Sequence, residues 1–293
     1  MVVAGGLPEA AGQGIDWEKA REFWSFRPPV LPALPAVRNE EWVRNDIDRF
    51  ILRRMEADGL TPAPEAPRDR LLRRLFLDVV GLPPQLTEAE FEAHRGESDS
   101  YERIVEELLE SPRYGERLAS LWMTVVAYSE TQPSGRQTEF RGAHFYRDWV
   151  IEAFNRDLPY DEFVRKQLAA DLLGADDRPA LGFLALRAYP RSGNTVVERA
   201  DAWAEQVDLV SRGLLGLGVA CARCHDHLED PITAEDYYAF AGIFASIDLE
   251  DVPFGKQEAH VVSDAILRNF RVFIDGDPSK PGPLVPRRNL RLL

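Results

Sequence analysis

Apolar residues recur at three- and four-residue spacings along most of this 293-residue chain, with turn residues between the runs. That period belongs to the α-helix, where side chains three and four apart share a face, so the chain is confined to a packing of helices. Asn45 is placed to cap a helix carrying Ile47, Phe50, Ile51 and Met55 on one side and stopping at Gly59. After a proline-rich stretch at 62–67, a second helix carries Leu71, Leu72, Leu75, Phe76 and Val79 and ends at Gly81 before two prolines. Thr87 and Glu90 form a capping-box pair for a short helix. Further helices are expected over 100–110, 113–129, 140–154, 160–173 and 195–217, the last with Trp203, Val207, Val210 and Leu214 as its buried stripe. Thr233 and Asp236 cap one more, carrying Tyr237, Phe240, Ala241 and Phe244. The only strand expected is 271–275, before a Gly-Asp-Pro turn.

The fold expected is therefore mainly α, a multi-helix orthogonal bundle with long connecting loops and at most a minor strand near the C-terminus. Residues 1–40 read as an N-terminal segment with a proline-rich connector at 28–36, and residues 41–250 as the helical domain. Residues 251–293 read as a C-terminal linker or tail, frayed over the proline- and arginine-rich 276–293.

An apolar content of 45% is ample for a core at this length. The net charge of −14 makes nucleic acid a poor partner, since phosphate binding needs a basic stripe and none is present. No apolar run approaches a membrane span. Residues 1–14 lack the basic start and apolar stretch of a signal peptide, so the protein is either cytosolic or has lost a leader.

Both cysteines of the chain fall in Cys221-Ala222-Arg223-Cys224-His225. A C-x-x-C-H run is the attachment signature of a c-type haem: two thiols about one helical turn apart bond two vinyl carbons, and the adjacent imidazole ligates the iron. Met55, Met123, His144 and His260 are the residues available as a distal ligand, each with core packing or surface capping as the plainer role. A second reading is a zinc or iron site, since His225, His227 and Asp230 stand beside the thiols and all are ligand types. A third is a local disulfide or thiol pair clipping the loop before the next helix. The glycines between 213 and 218 come with no phosphate-binding lysine or G-x-G-x-x-G pattern. Glu198, Asp201, Glu205 and Asp208 lie on one helical stripe, which reads as a solvated face.

Several spaced blocks resemble one family. They include Ile47-Asp48-Arg49-Phe50, Gly81-Leu82-Pro83-Pro84, Ser111-Pro112-Arg113-Tyr114-Gly115-Glu116-Arg117, Tyr146-Arg147-Asp148-Trp149 and Asn155-Arg156-Asp157-Leu158-Pro159-Tyr160-Asp161. Cys221 to His227, Asp230-Pro231-Ile232 and Asp236-Tyr237-Tyr238 complete the set. Together they resemble the second type of planctomycete cytochrome-c-like domain, a family of large exported proteins otherwise of unknown function. The resemblance implies haem c at Cys221, Cys224 and His225, and an electron-transfer or haem-linked redox role. It also implies a periplasmic or cell-surface location with the leader absent from this chain, and a redox partner or neighbouring domains as partners. The alternative is a metal- or disulfide-stabilised helical interaction module of an exported assembly. Relatives carry further domains before and after this one, so the chain is expected to be a fragment or a shortened member. It also departs from the family. Where relatives have histidine, aspartate and arginine it has Leu121, Thr124 and Ala127, and Leu228-Glu229 replace a lysine and an aromatic.

Overall fold

The computed structural model describes residues 15–84, 100–131, 140, 142–173, 177–186, 195–254, 257–264, 269–291 and 293, with the backbone alone for 100, 196, 248–254 and 257–264. Helix α1 (Trp17–Arg21) is capped by Asp16. Helix α2 (Asp46–Ala57) starts at the expected Asn45, whose side chain accepts from the Ile47 and Asp48 amides while Asp48 accepts from the Asn45 N–H. That reciprocal pair satisfies donors that the first turn leaves free. Helix α3 (Arg68–Val79) stops where Gly81 turns left-handed at φ 74°. With α4 (Ser100–Leu109) it closes a small apolar cluster of Leu72, Leu75, Val80, Ile104 and Leu108. The Thr87–Glu90 helix start lies outside the described residues.

The larger core gathers α5 (Pro112–Val125), α6 (Ala143–Asn155), α7 (Tyr160–Leu173), α8 (Gly182–Ala185), α9 (Val196–Gly213) and α10 (Ala234–Phe244). At its centre Gln167 and Tyr146 are almost fully buried polar side chains. Gln167 Oε1 accepts from Trp122 Nε1 at 2.9 Å and Tyr146 Oη at 2.8 Å, and its amide nitrogen donates to the Phe163 carbonyl at 3.1 Å. Burial is tolerated because each polar group has a partner. Helices α5 and α6 cross where Gly115 lets the backbones meet. A Cβ there would run into the Ile151 carbonyl and the Asn155 side chain, and Asn155 Oδ1 accepts the Gly115 N–H at 2.8 Å. Two of the family-like blocks thus meet as a helix crossing.

The mainly α expectation holds, and two corrections come with it. Among the described residues the chain makes two antiparallel hairpins rather than a single minor strand. Strand β1 (Ile247–Phe254) pairs with β2 (Gln257–Asp264), Ile247 opposite Asp264, and β3 (Phe270–Phe273) pairs with β4 (Pro281–Val285), Phe270 opposite Val285. The stretch expected to be frayed is also ordered. Val285 and Leu290 are buried, and Arg288 and Arg291 reach back to Asp236 on α10. Asp236 is 1% exposed and accepts from Arg288 NH1 at 2.7 Å, Arg291 Nε at 2.7 Å and Thr233 Oγ1 at 2.7 Å. Burial pushes its pKa up, but the bonds from Arg291, Arg288 and Thr233 outweigh that and hold it at about 2. Arg291 also covers the Trp17 ring at 4.6 Å, and its carbonyl accepts from Arg21, so the two ends of the described chain meet here. No helix among the described residues is long and apolar enough to cross a membrane.

Candidate functional site

The C-x-x-C-H segment lies between the two helices that frame it. Helix α9 ends at Gly213, and Leu217 N–H returns to the Ser211 carbonyl at 2.9 Å. The chain then forms a 3-10 turn, Val219–Arg223, anchored by the fully buried Val219 and Ala222. Alternation of buried and open positions puts Cys221 outside, and Cys224 follows just past the turn, so both cysteines are exposed with free thiols. Arg223, between them, pairs with Asp201 of α9 at 2.9 Å. Three of the four acids on the α9 stripe have named partners. Asp201 holds Arg223, Asp208 holds Arg212 at 2.9 Å, and Glu198 closes the Thr195 capping box.

The two neighbouring histidines meet different backbone groups. His225 Nδ1 lies 2.8 Å from the Asp226 carbonyl. A carbonyl only accepts, so Nδ1 carries a proton, and in the neutral ring Nε2 keeps its lone pair. His227 is the reverse. Its Nδ1 accepts the Asp230 N–H at 2.8 Å and the Glu229 N–H at 3.2 Å, so a neutral ring carries its proton on Nε2. His227 N–H also donates to the Ile232 carbonyl at 2.8 Å, and Asp226 Oδ1 accepts the Ala234 N–H at 2.8 Å at the start of α10. His227 and Asp226 therefore fold the loop, while His225 presents a free ring nitrogen. Among the described residues no group of three or more His, Cys, Asp or Glu side chains gathers to hold a metal ion. Of the expected set, His227 Nδ1 and Asp230 Oδ2 stand 3.7 Å apart, but neither His225 nor the thiols join them as a third ligand.

Helix α10 and the β3–β4 hairpin close the other side. Tyr238 Oη shares its proton between the Arg223 carbonyl at 2.8 Å and the Phe273 carbonyl at 3.3 Å. Burial pushes the Tyr238 pKa up to about 12, which keeps the hydroxyl a donor. Gly276, at φ 72°, approaches Cys224 so closely that a Cβ there would stand 2.5 Å from Sγ. Neither contact was signalled by spacing, because the partners lie 15 and 52 residues away from the thiol turn.

The proposed distal ligands stay dispersed. Met123 packs half-buried against the main core, Met55 is half-buried on α2, and the His144 ring lies tilted against Phe145 with centroids 4.2 Å apart. His260 pairs with Asp251 across the β1–β2 hairpin, its side chain outside what is described. Of the three departures, Leu121 on α5 is half exposed, Thr124 Oγ1 bonds the same helix at the Ser120 carbonyl, and Ala127, just past the helix end, sits left-handed at φ 49°.

For a haem the chain must offer two accessible thiols and an imidazole with a free ring nitrogen. Cys221, Cys224 and His225 meet both conditions. Searches of curated proteins and of solved structures found no match to this chain. Residues 46–249, well over half of the chain, match the family described as PSCyt2, protein of unknown function (DUF1549), and the chain belongs to that family.

Proposed function

We propose that this chain is a c-type haem-binding domain with an electron-transfer or haem-linked redox role. Cys221 and Cys224 would hold the group through thioether bonds, and His225 would be its proximal ligand. When bound, the haem supplies one-electron redox chemistry at its iron. The observation that carries the reading is the 2.8 Å contact between His225 Nδ1 and the Asp226 carbonyl. The Nδ1–H is given to that carbonyl, leaving Nε2 of the neutral ring free beside two exposed thiols. That hydrogen bond fixes the ring's orientation and raises the basicity of Nε2, as outer-shell acceptors do for ligating histidines. Arg223 keeps its charge between the cysteines. Burial opposes ionisation, but the bond to Asp201 more than compensates.

A covalent c-type haem implies maturation outside the cytoplasm, so the reading includes a periplasmic or cell-surface location. With a net charge of −14, a redox partner would present a basic patch. The test is the intact mass of protein matured in a host with a cytochrome c maturation system. One added haem, absent from Cys221→Ala/Cys224→Ala, supports the reading. The bare polypeptide mass under the same conditions overturns it and leaves the thiol turn as a structural clip.

A further inference from the structure

We propose that the turn Ile274–Gly276, outside the family-matched residues 46–249, belongs to the thiol site, with Gly276 as a positioning residue for Cys224. Three observations carry this. Asp275 and Gly276 are both left-handed, at φ 55° and 72°, a conformation that aims the backbone of the turn at the thiol. A Cβ on Gly276 would stand 2.5 Å from Cys224 Sγ, 3.5 Å from its Cβ and 3.6 Å from the Arg223 carbonyl, so only glycine allows this approach. The shared proton of Tyr238 then ties the Arg223 carbonyl to that of Phe273, immediately before the turn.

The consequence is that the two thiols are inequivalent. Cys221 projects from the 3-10 turn, while Cys224, also exposed, has the Gly276 backbone of the C-terminal hairpin against its sulfur. A ligand bridging both sulfurs would find Cys224 already set and would be bordered by the hairpin. The importance of this arrangement rests on the haem reading, but its test uses protein without haem, so failure of one is distinguishable from failure of the other.

The experiment is timed alkylation of the reduced, haem-free full chain with iodoacetamide, followed by peptide mapping to give a separate rate for each cysteine. Gly276→Ala removes the backing of Cys224, either by pushing Sγ outward or by lifting the turn. Cys224 should then react about fivefold faster or more, with Cys221 within about twofold of the parent, because access governs thiol reactivity. Gly59→Ala is the control for backbone strain alone, since Gly59 has φ 70° but nothing within 4 Å of its virtual Cβ. It should lower stability similarly and leave the ratio of rates unchanged. If Gly276→Ala does not fold, Tyr238→Phe removes only the hydroxyl that ties turn to hairpin and should shift the same ratio in the same direction. A Cys224 rate that is unchanged or slower, or one that rises equally with Cys221, overturns the proposal.

Discussion

Asp236→Asn tests the clasp between the C-terminal segment and α10. The carboxylate takes bonds from Arg291 at 2.7 and 3.1 Å, from Arg288 at 2.7 Å and from the Thr233 amide and hydroxyl at 3.0 and 2.7 Å. The amide keeps the shape but loses the charge and turns donors toward two guanidinium groups. Breaking one side of a buried ion pair costs about 3–5 kcal/mol. Both arginine side chains are about a third exposed and regain water, which brings the expectation at pH 7 to about 2–4 kcal/mol. The pH dependence isolates the cause. The folded-state pKa, about 2, lies below the ordinary 3.8, so the stabilisation is complete above pH 4 and is lost as the pH falls toward 2. That shift corresponds to about 2 kcal/mol. Urea unfolding of parent and variant at pH 7, 5 and 2.5 should show a gap that holds from pH 7 to 5 and narrows by about that amount at pH 2.5. A gap below about 0.5 kcal/mol at pH 7, or one that persists undiminished at pH 2.5, would refute the reasoning.

Three other outcomes follow from the packing. Gly115→Ala should destabilise by about 1–3 kcal/mol in urea unfolding, because the new methyl lands on the Ile151 carbonyl and Asn155 where α5 crosses α6. Gln167→Leu should cost about 2–4 kcal/mol, since Trp122 and Tyr146 lose their common acceptor inside the core, and a loss below about 1 kcal/mol would contradict that network. Ala127→Gly should raise the melting temperature through up to about 1 kcal/mol, because it relieves a left-handed alanine at φ 49°, and a fall would count against strain at that position.

Most helices were legible because their signals are local. Asn45, Gly59, Gly81 and the Thr233–Asp236 pair act within a few residues of themselves, and the structure uses each one at a helix end. The β1–β2 hairpin carried weaker local signs. Ile247 and Leu249 alternate with acids, but Asp251 and Pro253 break the pattern before the Gly255-Lys256 dipeptide. The C-terminal segment was illegible for a different reason. Its arginines look like those of any solvated tail, and only the fold reveals that Arg288 and Arg291 share a buried acid 52 and 55 residues upstream. The site divides the same way. The spacing of Cys221, Cys224 and His225 is in the sequence, whereas the separate tasks of His225 and His227 depend on which backbone groups each imidazole meets. The backing of Cys224 by Gly276 is a tertiary contact with no trace in local spacing.

The haem reading is met most directly by the visible spectrum of the purified, exported full chain after denaturation in alkaline pyridine. The account predicts the sharp reduced bands of a covalently bound c-type haem remaining with the unfolded polypeptide, and their loss in Cys221→Ala/Cys224→Ala. A colourless polypeptide, or pigment that separates from the chain on unfolding, would contradict it.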